Sequence, residues 1–201
     1  MKIYLDTNVI RDCLKRRKLE SIRLMEIIRD KKIECVSSIF TVMELIDTEK
    51  DEVFFNNCLR KGEEVSKILR KRNQRTLKPE ELNELWEPIN NLLATYKFIE
   101  FKTLIDIGWT NAFGLCRTSN LDADDSIHLA IAMGSGSDIL LTSDEFFNKE
   151  GTRFIEEYNK NLPNEEARIK LKIMTPEKAL KDLEEDKKPL KKLDSKKKKA
   201  K

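Results

Sequence analysis

The sequence predicts an α/β fold, a central parallel sheet of four to five strands flanked by helices with a helical insertion. Three observations predict it. Short apolar, β-branched runs alternate with longer segments whose apolar residues recur at helical spacing. Two of those runs stop on a carboxylate, at Asp6 and at Asp144. Capping residues, Asn8, Ser37 or Ser38, and Asp122, stand where helical runs begin. Taken in order, Ile3, Tyr4 and Leu5 place a first strand at residues 2–6, and a helix at 8–18 ends in KRRK. Ile22, Met25 and Ile28, with Leu24 and Ile27 beside them, mark a second helix, IECVS a second strand, and FTVMELID a third helix. The β-α-α-β-α order begins a parallel α/β sheet.

Residues 51–96 carry no strand signal and are expected to be helical, an insertion into the α/β pattern. Within it, residues 59–78 hold eight basic side chains and two acids. Leu82, Leu85, Trp86, Ile89, Leu92, Leu93 and Tyr96 then form an apolar stripe, which Pro88 is expected to break or kink just after Glu87, because proline removes a helical donor. A short extended piece at 98–102 and a helix at 104–116 follow. Asp122 or a neighbour caps a helix running to Met133, GSGS ends it, and a strand at 139–142 stops on Ser143 and Asp144. A last strand at 171–174 and a helix from Pro176 complete the sheet.

With 201 residues, 39% of them hydrophobic, the chain can bury one sizeable core, so one domain is expected over residues 1–186 with the insertion at about 51–96. Residues 187–201 hold nine lysines against one acid, Asp194, leaving the body net acidic. Such a tail lacks the apolar content to order itself and reads as a loose phosphate-binding arm or a solvated extension. Cys13, Cys35, Cys58 and Cys116 form no CxxC pair, which argues against a disulfide framework or a zinc site. No apolar run approaches the roughly 18 residues of a membrane span, and the N-terminus passes directly into a strand. A cytoplasmic protein with no membrane partner is expected.

The acids at strand ends or helix starts are Asp6, Glu44, Asp125 and Asp144. Glu44 sits in the apolar turn VMELI, where an unpaired carboxylate is costly to bury. On a helical wheel Asp124, Asp125 and His128 share one sector while Ile127, Leu129, Ala130, Ile131 and Met133 fill the rest, so that sector faces water or a site. Carboxylates gathered in one cleft repel each other unless a cation joins them. Magnesium suits such a group because it takes a few carboxylates and completes its shell with waters and phosphate oxygens. The chemistry implied is phosphodiester hydrolysis.

LDTNVI at the start, MEL near residue 44, DDSIHLAIA near 125 and LLTSDEFF near 144 stand in the order found in the PIN-domain ribonucleases. Over residues 1–150, with a weaker match through LKIMTPEKAL, the chain resembles that family, most closely the prokaryotic VapC-type toxin nucleases. The resemblance implies a PIN-like fold and a Mg2+- or Mn2+-dependent ribonuclease. By position, Asp6, Glu44, Asp125 and Asp144 are then the catalytic and metal-binding acids, with Asn8, Thr142, Ser143 and Asp124 as polar support. RNA as substrate, a small antitoxin protein as partner and a homodimer come with it. Arg16 and Arg17 in KRRK, and Arg70, Lys71 and Arg72 in the basic segment, suit contacts to a phosphate backbone. The rival functions are an RNA-binding or scaffold module with little catalysis, and an RNA processing or decay enzyme rather than a toxin. A haloacid-dehalogenase-type phosphatase would need a second acid where Asn8 stands. His128, the lone histidine, reads as a hydrogen-bonded residue rather than a general base.

Overall fold

The computed structural model describes residues 1–165 and 168–185; the lysine-rich stretch 187–201 lies outside them. Five strands, β1 (Lys2–Leu5), β2 (Glu34–Ser38), β3 (Ile99–Lys102), β4 (Ile139–Leu141) and β5 (Lys172–Met174), form one sheet in the order β3-β2-β1-β4-β5. Every neighbouring pair is parallel. Alternation along β1 explains why both faces need cover: Ile3 and Leu5 enter one apolar cluster and Tyr4 the other.

The first face is covered by α1 (Thr7–Leu14), α2 (Leu19–Asp30) and α9 (Pro176–Glu185), through Val9, Ile10, Leu24, Ile28 and Leu180. Across the sheet lie α6 (Asp106–Thr118), α7 (Ala123–Gly134) and α8 (Glu145–Lys160), through Leu115, Leu129, Ile131, Phe147 and Ile155. The chain runs outward from β1 to β2 and β3, then returns to place β4 on the other side of β1. That reversal opens a crevice beyond the carboxyl ends of β1 and β4, where α/β sheets bind their ligands.

The insertion is built from the far half of α3 (Ile39–Arg60), a short α4 (Val65–Lys71), a 3-10 turn at Arg72–Gln74 and α5 (Pro79–Thr95). Contrary to expectation, α5 runs unbroken through Pro88. The cost of proline in a helix interior, about 3 kcal/mol for the forfeited hydrogen bond and the ring's clash with the preceding turn together, is offset by the burial of Leu85, Ile89 and Leu92 on both sides of it. The helix packs on α3 and α1. The cap of α1 is Asp6, not Asn8, which lies within the helix because the Asp6 side chain accepts from the Thr7 N–H, and two further differences concern extent. Helix α3 continues well past FTVMELID, and α8 follows Asp144 directly, a helix the strand-then-acid pattern did not announce. All four cysteines are free thiols. Among the described residues no helix is long and apolar enough to cross a membrane.

Candidate active site

Asp6 is the first residue past β1, and its backbone N–H reaches across to the Leu141 carbonyl at the end of β4 (3.0 Å), so both strand ends meet at this side chain. Only 5% exposed, its carboxylate accepts from the Thr7 N–H (2.7 Å), the Thr142 hydroxyl (2.7 Å) and the Asn8 amide. Asn8 also donates to the Thr142 hydroxyl (3.0 Å) and accepts from the Ser143 N–H (2.7 Å), fixing the turn after β4 against α1. Burial raises the Asp6 carboxyl above its ordinary value, and Glu44 adds to this, while His128 and the Thr142 and Thr7 donors work the other way.

Glu44 arrives from the second turn of α3. Its Oε2 accepts from the Thr7 hydroxyl and lies 2.8 Å from His128 Nε2. His128 is 2% exposed, and its Nδ1 is 2.5 Å from the hydroxyl of the fully buried Tyr4. A chain Tyr4–His128–Glu44 thus crosses from the sheet through α7 to α3. Burial works to raise the Glu44 carboxyl, but the hydrogen bond and charge of His128, with Thr7, outweigh it and hold the group below its usual range. Burial works to lower the His128 imidazole, yet the Glu44 bond and the charges of Asp6, Glu44 and Asp125 raise it. The histidine is therefore a bonded partner of the acid, as its sequence position suggested.

Asp124 and Asp125 occupy the first turn of α7, where the free N–H groups and helix dipole favour negative charge. Asp122 is the cap: its Oδ1 accepts from the Asp125 N–H at 3.0 Å. Asp125 is pushed up to about 7, first by burial and then by the repulsion of Asp122, Asp6 and Asp144. Asp6, Glu44, Asp124 and Asp125 line one cleft of about 350 Å³ together with Thr7, Asn8 and His128. Asp144 does not line it. Its Oδ1 caps α8 by accepting from the Phe147 N–H (2.9 Å), and it acts on Asp125 through its charge.

Of the basic residues read as phosphate contacts, Arg17 reaches Glu52, Lys71 reaches Glu63 and Arg72 reaches Asp51. Arg16 and Arg70 are exposed and make no ion pair among the described residues. Arg72 alone of the five lines the cleft, beside Arg11. The sequence-based reading missed Arg11, Asp47, Thr48 and Asp51, which also line it. The signal was available: residues 44, 47, 48 and 51 recur at i, i+3, i+4 and i+7, one polar face of α3. Asp12, buried on α1, was missed as well; it accepts from the Ser143 hydroxyl at 3.0 Å and steadies the turn that carries Asp144.

A family model of the PIN domain matches residues 2–145, the span that contains all four acids. The chain belongs to the PIN-domain family. No curated protein matches it significantly. PIN domains are a family of nucleases, and the parallel five-stranded sheet with helices on both faces is the fold expected for one. Nucleases of this family commonly use divalent metals, and the residues here suit one. All donors are carboxylate oxygens, hard ligands for a hard ion, and their mutual repulsion on Asp125 is what a cation would relieve. Among the described residues no three acids, histidines or cysteines converge into a ready-made ligand cage.

Proposed function

We propose that this PIN domain is a Mg2+- or Mn2+-dependent endoribonuclease that hydrolyses RNA phosphodiester bonds at the cleft between β1, α3 and α7. The observation that carries the proposal is Asp125, a carboxyl raised to about 7 by burial and by Asp122, Asp6 and Asp144, beside a buried Asp6 that its neighbours hold in one orientation. Asp6 and Asp125 would hold the ion, with Glu44 at the cleft wall contributing directly or through water and Asp144 adding its negative charge from outside the cleft. When bound, the ion supplies an activated water and charge stabilisation at the phosphoryl oxygens.

The chain's own residues supply position and field. Thr7, Asn8 and Thr142 keep the Asp6 carboxylate aimed past the end of the sheet. His128 and Thr7 keep Glu44 ionised at the wall of the cleft. Arg11, held by Glu49 and Glu52, and Arg72, held by Asp51, line a cleft whose acids otherwise repel phosphate and locally offset that charge. Toxin function, a small antitoxin partner and a homodimer belong to this proposal on the strength of the VapC-type motifs. A small antitoxin-like reading frame beside the gene would support them.

The purified protein is expected to cut single-stranded or looped RNA with added magnesium or manganese and to leave 5′-phosphate ends. Excess EDTA should abolish cutting. Full activity in EDTA would remove the metal from the proposal, and a protein inert under all metals would favour the RNA-binding or scaffold role.

A further inference from the structure

We propose that an aromatic shelf beside the acidic cleft is a stacking subsite for an unpaired nucleobase next to the scissile phosphate, an inference that rests on the nuclease reading above. Phe40, in the first turn of α3, meets Trp109 of α6 edge to face, with ring centroids 5.8 Å apart and planes at 89°. Trp109 in turn leans on Phe113, at 6.2 Å and 32°. Around them Met43 is 63% exposed, Phe113 69% and Ile105 71%. Contiguous large apolar side chains left in water mark a surface that something covers.

Two features identify the occupant. Through Phe40 the shelf opens into a groove of about 250 Å³ between α3, which contributes Phe40, Met43, Glu44 and Asp47, and α7, which contributes Asp124, Ile127 and His128. Those three acids also line the cleft that holds Asp6 and Asp125, so groove and cleft are one continuous surface. A strand whose phosphate lies at Asp125 therefore lays its next nucleotide along this groove.

The chemistry of the lining selects the base rather than the backbone. Among the described residues no lysine or arginine lines the groove, and its carboxylates repel phosphate. A flat neutral ring stacks on Phe40 or Trp109 whatever its identity. Its exocyclic amino group can donate to a carboxylate, as cytosine N4 does, so bases that carry an amino group are preferred to uracil. A duplex cannot offer such a base without unstacking it, which makes the substrate single-stranded or looped.

The test uses the full-length protein carrying Trp86→Phe, which leaves Trp109 as its single indole. It is titrated in calcium buffer with a short cytosine-containing RNA strand, the same strand with abasic riboses, and the same strand annealed to its complement. The single strand is expected to quench Trp109 fluorescence, and the abasic strand and duplex to bind at least about fivefold more weakly. Trp109→Leu and Phe113→Leu, which keep apolar bulk, should erase the difference between normal and abasic RNA when binding is read by anisotropy of a labelled strand. Equal binding of normal and abasic RNA overturns the subsite, as does a Trp109→Leu protein that still tells them apart. So does a change in sedimentation mass on Trp109→Leu with RNA binding unchanged, which would assign the face to a protein partner. A protein that cuts RNA in magnesium yet ignores the bases loses only the subsite; one inert in magnesium that still shows base-dependent quenching loses only the nuclease reading.

Discussion

At the scale of single residues, Asp125 concentrates the electrostatic strain of the site. Its carboxyl is raised to about 7, against about 4 in an unfolded chain. A raised folded value means that the stability this group contributes is complete below about pH 4 and is lost as pH rises through about 7. In EDTA, the wild-type melting temperature should therefore fall relative to that of Asp125→Asn between those limits, and added magnesium should narrow the gap. Parallel pH profiles of the two proteins would contradict this. Asp122→Ala should lower stability by about 0.5–2 kcal/mol through loss of the α7 cap. Asp124→Asn, altering an exposed side chain in the cleft, should leave the melting temperature near wild type and reduce cleavage only partly. Melting curves and cleavage rates of the two variants check both. Asp6, Glu44 and Asp125, which the fold brings to one cleft, stood out in the sequence because each interrupts an apolar strand or helix start; Asp144 stood out for the same reason and is the cap of α8. Their wiring was not legible: that Tyr4 and His128 hold Glu44 depends on residues brought together from positions 4, 44 and 128, which no local pattern encodes.

At the scale of elements, strands and most helices were readable because burial on two faces leaves continuous apolar runs and burial on one leaves a stripe. Helix α8 escaped because its cap, Asp144, was read in the sequence as a site acid at the end of a strand rather than as the start of a helix. Pro88 misled because local propensity is a weak prior against tertiary burial. The end of α2 offers a test of local strain. Lys32 sits at φ 51°, a left-handed conformation that glycine favours, where the Ile33 N–H closes back on the Ile28 carbonyl at 3.0 Å. Lys32→Gly should raise unfolding stability by up to about 1 kcal/mol, measured by urea denaturation. A loss of stability would show that the lysine side chain contributes more than its backbone costs.

At the scale of the molecule, the strand order places β1 beside both β2 and β4, and that arrangement gathers acids far apart in sequence at one crevice. The insertion changes the character of that crevice. Two of its eight cations, which looked free in the sequence, pair with acids of α3: Arg72 and Arg75 with Asp51, and Arg75 also with Asp47. The basic segment therefore helps dock the insertion against the rim of the cleft, and a row of like charges in sequence could not reveal the partners that neutralise it. What remains is an acidic floor, two arginines at its edge and an aromatic shelf beside it. The measurement that tests this account most directly is the RNA cleavage rate of Asp125→Asn beside wild type in magnesium, with a melting curve for each. The substitution keeps the shape of the side chain and removes the anionic oxygen. A properly folded variant that has lost cleavage is the predicted result; a properly folded variant that cuts at the wild-type rate would contradict it.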